Sequence, residues 1–316
     1  MNSVVCTLFE GHYHYGVAAL VNSLFKHGFK GDFYAGYRGE LPEWARDGKK
    51  TKIFEWENCT TVVISKELNV HFLPLTTKYH FCNYKPDFVI QLRTHLDNSV
   101  SGVFYFDPDI VIKCRWSFYE EWLTIGVPLV HEITNNDMPA THPVRKMWMK
   151  MIKDQGLEVK TDLQSYLNSG FWAVKKDDLQ FAYLFKKFVE VSESEYKMNL
   201  ADFSFELDRT NPFFAKDQDA FNIAAMCTDV AISEYGPEGM DLVLGGMLMS
   251  HAIGNPKPWK KQYFRNFLKG SPPTMADREY WNNANATIKL YSDSYLKMRR
   301  TELKISAFLG RFYRRY

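Results

Sequence analysis

Val103-Phe104-Tyr105-Phe106-Asp107-Pro108-Asp109-Ile110-Val111-Ile112 places two carboxylates between two apolar runs. The first run reads as a buried strand, and the second continues the chain back into the core. Two carboxylates one residue apart at the mouth of such a strand are costly unless something neutralises them. On a strand both side chains point to one face, so Asp107 and Asp109 can reach a single ion. A hard divalent cation, Mg²⁺ or Mn²⁺, prefers oxygen ligands and shares them with substrate phosphate. Pro108 lacks an N–H and fits a strand end better than a strand interior. An isolated Asp-x-Asp is more often a solvated turn, but the apolar run before it favours a metal-dependent enzyme acting on a nucleotide-activated substrate.

The flanking sequence supplies the sheet. Val4–Leu8 reads as a first strand, and Gly16 to about His27 as a helix with Val17, Leu20, Val21, Leu24 and Phe25 on one face. Gly28 ends that helix and Asp32–Ala35 reads as the next strand. This is a βαβ opening of the kind that starts nucleotide-binding α/β sheets. Residues 42–58 read as irregular and charged, Thr61–Ser65 as a strand, and Lys85–Leu96 as the helix leading to the strand before Asp107. Further on, Gly126–His131 and the end of Tyr166–Val174 read as strands, and Leu179–Val191 as a helix. Another helix starts at Asp217, where a carboxylate makes a favourable N-cap.

Composition narrows the class. The chain has 316 residues with 46% hydrophobic and 16% aromatic content, and its net charge of +2 argues against a dedicated nucleic-acid binder. Five cysteines form no Cys-x-x-Cys pair, which reads as reduced thiols rather than a disulfide framework or zinc site. The amino terminus enters a strand with no signal-peptide pattern, and no apolar stretch approaches the roughly 20 residues that span a bilayer. The expectation is a cytoplasmic protein with one main domain, 1–265, and a helical, basic and aromatic extension, 266–316.

Four further stretches carry chemistry. His251 follows an apolar run; such a histidine is usually structural, yet a neutral imidazole would complete a carboxylate/histidine metal site. Gly254 permits close backbone approach, and Lys257 supplies a cation for a departing diphosphate. Asn168-Ser169-Gly170 and Lys216-Asp217-Gln218-Asp219 read as an ordinary turn and a helix cap, or as amides and carboxylates that fix sugar hydroxyls. In His12-Tyr13-His14-Tyr15, Tyr13 is a candidate to stack on a base.

In this order the motifs resemble the retaining glycosyltransferases of family 8, the group of glycogenin and the bacterial lipooligosaccharide galactosyltransferases. The resemblance rests on Val5-Cys6-Thr7-Leu8 with Tyr13, Gly16 and Ser23-Leu24, then Phe106-Asp107-Pro108-Asp109, and Asn168-Ser169-Gly170. It is completed by Asp217-Gln218-Asp219-x-x-Asn222 and His251-x-x-Gly254-x-x-Lys257-Pro258-Trp259. It implies the GT-A fold, a Rossmann-like mixed sheet flanked by helices that binds a UDP-sugar and Mn²⁺. Carried over, Asp107, Asp109 and His251 bind the metal, Lys257 contacts the diphosphate, and Thr7 and Tyr13 hold the uridine. Asn168, Asp217 and Gln218 surround the donor sugar, with Gln218 opposite the leaving group. The first loop, Glu10-Gly11-His12, lacks the family's usual acidic residue. For the basic residue before the metal motif the candidates are Lys85, then Arg93.

The implied reaction moves a hexose, Gal or Glc, to a glycan or lipid-linked glycan acceptor, in cell-surface polysaccharide or lipopolysaccharide synthesis. Residues 296–316 interleave seven basic residues with apolar ones. They read either as a peripheral contact with an anionic membrane at its inner face or as a helix packed on the domain. The alternatives are a HAD-like metal-dependent phosphohydrolase and a non-catalytic UDP-sugar-binding module on the same fold.

Overall fold

The computed structural model describes residues 2–133, 137–208 and 210–312. Its centre is a seven-stranded sheet. The opening unit is β1 (Ser3–Glu10), helix α1 (His14–Lys26) and β2 (Gly31–Arg38). A hairpin follows, β3 (Lys49–Ile53) and β4 (Trp56–Ser65), and then β5 (Leu68–Pro74), helix α2 (Phe81–His95) and β6 (Gly102–Phe106). Beyond the two aspartates come β7 (Ile110–Ile112), α3 (Trp116–Ile125) and β8 (Val127–His131). Next are α4 (Pro143–Asp154), the short β9 (Leu167–Asn168), β10 (Phe171–Val174), α5 (Gln180–Ser194) and α6 (Lys216–Cys227). The chain finishes with β11 (Ile232–Tyr235), β12 (Met249–His251), α7 (Tyr263–Leu268), α8 (Met275–Asn283) and α9 (Asp293–Leu309).

The strand order β10-β6-β1-β2-β5-β4-β3 makes a mixed sheet. β6, β1, β2 and β5 run parallel, while β10, β4 and β3 are antiparallel to their neighbours. Both faces of the parallel strands are covered, which is why they read as apolar runs. The period of two sorts their side chains. Val4, Cys6 and Leu8 of β1 and Val103 and Tyr105 of β6 join α2, α5 and α6 in one core. Val5, Phe9, Phe104 and Phe106 face α1 and α3 in the other.

Several expectations are corrected. Residues 42–58 are not irregular throughout: the antiparallel β3–β4 hairpin takes up residues 49–58, with positive φ at Phe54 in the turn and at Asn58. Helix α2 begins four residues before Lys85, where His80 accepts the Cys82 N–H and caps it, so Pro86 lies inside the helix. Helix α6 begins at Lys216, not Asp217, and Asp217 is not its cap. The Asp219 carboxylate reaches back to accept the Ala215 N–H at 2.6 Å instead.

Helix α8 and the segment after it, to Tyr291, pack on α1. Asn22 donates to the carbonyls of Asn283 and Ile288 and accepts the Ile288 N–H, and Tyr15 stacks on Tyr291. In α9, Arg299 lies against the Tyr263 and Trp281 rings and Arg300 donates to the Trp281 carbonyl, so these two cations serve packing rather than an outer surface. The opposite side exposes Met298, Ile305 and Phe308, beside Phe264 and Leu268 of α7. Tyr313–Tyr316, with Arg314 and Arg315, lie outside the described residues. No helix among the described residues is long and apolar enough to cross a membrane.

Candidate metal centre

Asp107 and Asp109 leave the strand before they meet. Residues 107–109 form a turn closed by the Ile110 N–H on the Asp107 carbonyl, so the carboxylates converge through the turn and not through strand periodicity. Two antiparallel partners complete the centre. Register pairs Phe171 of β10 with Phe106, which sets the Gly170 carbonyl on the Asp107 N–H at 2.7 Å. Register also pairs His251 of β12 with Ile110, placing the imidazole beside Asp109.

The ligand atoms of Asp107, Asp109 and His251 lie within 4.8 Å of one another. His251 Nε2 is 3.3 Å from Asp109 Oδ1 and 3.8 Å from Asp107 Oδ2. Gly170 is needed here. A Cβ on it would stand 2.6 Å from His251 Cε1, 2.8 Å from Asn168 Oδ1 and 2.9 Å from Asp107 Oδ2.

Two lysines flank the acids. Lys257 Nζ is 2.5 Å from Asp109 Oδ2, donates to the Ala252 carbonyl at 2.8 Å, and lies 5.7 Å from the Tyr13 ring centre. Lys85 Nζ is 3.1 Å from Asp107 Oδ1 and 3.1 Å from Asp217 Oδ2, and reaches Ser169 Oγ at 3.2 Å. Burial alone would lower the Lys85 pKa, but Asp107 and Asp217 outweigh it and hold the ammonium well above its ordinary range. Burial likewise pushes the Asp109 carboxyl up, yet Lys257 and His251 hold it well below the usual carboxylate value.

The donor set suits a divalent cation. It mixes two carboxylates with one imidazole, whose Nε2 faces both acids. Asp107, Asp109 and Asp217 bring three negative charges against the two of Lys85 and Lys257, which leaves the cluster electron-rich.

The other expected residues divide. Lys85, not Arg93, meets the metal motif; Arg93 turns back to the Leu96 carbonyl. Asp217 joins the centre through Lys85 and accepts from Ser169 Oγ at 2.7 Å, and Gln218 Oε1 takes the Ser169 N–H at 3.4 Å. Asn168 is one step back, its Oδ1 accepting from the Gly170 N–H and its Nδ2 donating to Glu132 at 2.6 Å. Thr7 is fully buried with its hydroxyl donating to the Phe106 carbonyl at 2.7 Å. Tyr13 packs edge-on against Trp259, whose indole N–H donates to His12 Nδ1 at 2.9 Å. Gly254 does not touch the cluster. Its φ of +75° lets the chain turn so that Lys257 returns to Asp109.

Sequence reasoning missed two partners. Tyr105 donates to Asp107 Oδ1 at 3.0 Å, and its position two residues earlier on the same strand face was a usable signal. Glu132 is buried behind Asn168, and nothing in its polar context marked it.

This sheet, with β10 and β4 reversed against the parallel strands and the acidic turn at the end of β6, is the GT-A fold. No family model matches the sequence, and no curated protein matches it. Solved structures do. The chain is similar to the galactosyltransferase LgtC in complex with donor and acceptor sugar analogues, with a TM-score of 0.54 and 10% identity over 94% of this chain and 99% of that one. It is also similar to the glycosyltransferase GlyE of Streptococcus pneumoniae TIGR4, with a TM-score of 0.51 and 14% identity over 97% of this chain. The bifunctional glycosyltransferase WbbM matches with a TM-score of 0.52 and 12% identity over 95% of this chain. The chain spans 64% of the GlyE chain and about half, 52%, of the WbbM chain.

Proposed function

We propose that the protein is a metal-dependent, retaining glycosyltransferase of the family 8 type, moving a hexose from a UDP-sugar to a glycan acceptor. The observation that carries this reading is the cluster of Asp107, Asp109 and His251 within 4.8 Å, at the end of β6 in a GT-A sheet. Residues 1–265 supply the catalytic domain and residues 266–316 the helical, basic extension.

Asp107, Asp109 and His251 hold Mn²⁺ or Mg²⁺, which when bound supplies positive charge against the diphosphate. Lys257 adds a second cation at the same place by exchanging Asp109 for phosphate oxygen. Tyr13 offers a ring to the uracil, and Thr7 fixes the strand beneath it through Phe106. Lys85 and Ser169 hold Asp217 in place, and with Asn168 and Gln218 these side chains line the sugar subsite. In the transfer step the bond from the anomeric carbon to the phosphate oxygen breaks as the bond to the acceptor oxygen forms on the same face. The departing phosphate oxygen takes the acceptor proton. No covalent sugar–enzyme intermediate forms at Asp217 or Gln218.

The acceptor is a glycan or lipid-linked glycan of cell-surface polysaccharide or lipopolysaccharide synthesis. The exposed apolar side chains of α7 and α9, set among Lys297, Lys304, Arg265 and Arg311, support peripheral contact with an anionic membrane at its cytoplasmic face. The test is UDP release from a panel of UDP-sugars with Mn²⁺, with and without EDTA. Release with one or two donors, abolished by EDTA, is expected; no release from any donor removes the transferase reading.

A further inference from the structure

A second feature of the chain lies apart from the metal centre. A separate open cleft of about 360 Å³ lies between α2 and the strand ends of β4 and β5, within the roughly 300–1,000 Å³ of small-ligand sites. Trp56, Pro74, Leu75, Thr76, Thr77, Tyr84 and Gln91 line it. Tyr84 and Gln91 are seven residues apart on α2, two turns of one helix face, so both point into the cleft.

The lining chemistry is selective. None of the lining side chains carries a charge. Trp56 is held edge-on by Phe88 and His95 with ring centres 6.3 and 5.6 Å away, which fixes the indole yet leaves it half-buried. Gln91 Nε2 donates to the Tyr84 hydroxyl at 2.8 Å. The Tyr84 proton and the Gln91 carbonyl therefore remain to donate and accept, and the Thr76 side chain is exposed. An indole fixed by its neighbours, sharing one cleft with hydroxyl and amide groups, matches a pyranose, which presents C–H faces and neutral hydroxyls.

We propose that this cleft is a second carbohydrate site, binding an uncharged sugar residue of a glycan independently of donor and metal. Tyr84 lines it and the next residue, Lys85, bonds Asp107, so α2 connects the cleft to the metal centre. That the glycan bound here is a remote part of the acceptor rests on the transferase reading; saccharide binding itself does not.

The experiment is a titration of the full chain in EDTA, without nucleotide, with maltotetraose, cellotetraose and a β-1,4-linked galactotetraose, read by tryptophan fluorescence and by ligand-observed NMR. Millimolar or tighter binding of at least one is expected, weakened at least tenfold in both Trp56→Ala and Gln91→Ala. Because Trp56 is part of the packing around Phe88, the Gln91→Ala variant carries the test if Trp56→Ala unfolds. No binding to any of the three, or binding unchanged by Gln91→Ala, overturns the proposal. Since neither donor nor metal is present, loss of UDP release in the panel assay leaves this result untouched, and the two readings fail separately.

Discussion

Lys257 Nζ sits 2.5 Å from Asp109 Oδ2, and both side chains are more than nine-tenths buried. The pair couples the turn after β6 to a loop 148 residues later, and its carboxylate turns its other oxygen to His251. A buried ion pair of this sort contributes little net stability while intact, but leaves an uncompensated charge when one partner is removed.

Removal of Lys257 is therefore expected to expose the metal's role. Lys257→Met leaves Asp109 buried with only His251 beside it, and should destabilise the metal-free protein by about 3–5 kcal/mol. Saturating Mn²⁺ restores a counter-charge and should recover much of that loss. Urea unfolding of the variant with EDTA and with Mn²⁺ reads the difference, and equal midpoints in the two conditions would contradict the assignment.

Asp109→Ala and His251→Ala act on the donor set itself. Each should lower sugar transfer by roughly 100-fold or more while near-ultraviolet circular dichroism stays native. Mn²⁺ binding followed by electron paramagnetic resonance should weaken in parallel. Near-normal turnover in either variant would place the metal elsewhere.

Gly170→Ala tests the cradle without touching a ligand. The added methyl must displace His251, Asn168 or Asp107, since each lies under 3 Å from where it would stand. The expected result is a roughly 10–100-fold loss of Mn²⁺ affinity, the size seen when groups behind metal ligands are altered. An unchanged Mn²⁺ affinity would mean that the ring and carboxylates relax freely.

Asp219 gives a pH signature. Burial pushes its carboxyl from an ordinary 3.8 up to about 7, against the hydrogen bonds it accepts from Tyr166 and the Ala215 N–H. Between those values the folded state keeps a proton that the unfolded chain has lost, so this group's contribution to stability falls as pH rises through the window and is flat above it. Asp219→Asn removes the titration. The stability of the variant minus that of the parent should rise between pH 4 and 7 by about 2–4 kcal/mol. Parallel urea midpoints across that range would show that Asp219 ionises normally.

What could be read in the sequence follows from what each element has to do. The apolar runs of β1 and β6 announce themselves because both sheet faces are covered, and Asp107 and Asp109 stand out against them. The β3–β4 hairpin hid because an edge strand faces water. Lys50 and Lys52 alternate with the half-exposed Thr51 and Ile53, Lys49 is exposed as well, and no apolar period shows. Lys85 was legible only as a candidate, since Pro86 beside it argued against a helix already under way at Phe81. The first turn of α6 was misassigned because Asp217 and Asp219 are both plausible caps. Tertiary contacts separate them: Asp217 meets Lys85 and Ser169, whereas Asp219 meets Tyr166 and its own helix start. Glu132 gave no sign, its meaning arising only once Asn168 is folded against it.

The antiparallel pairing of β7 with β12 also has a consequence for the order of assembly during translation. Asp109 leaves the ribosome 148 residues ahead of Lys257. At roughly 5–20 residues per second, the nascent chain carries that acid for on the order of ten seconds before its ammonium is synthesised. Until then β6 can join the sheet with Asp107 already met by Lys85, but Asp109 lacks the ammonium that accompanies its burial. The acidic turn keeps the newborn sheet edge wet and charged while it is most prone to stick to its neighbours.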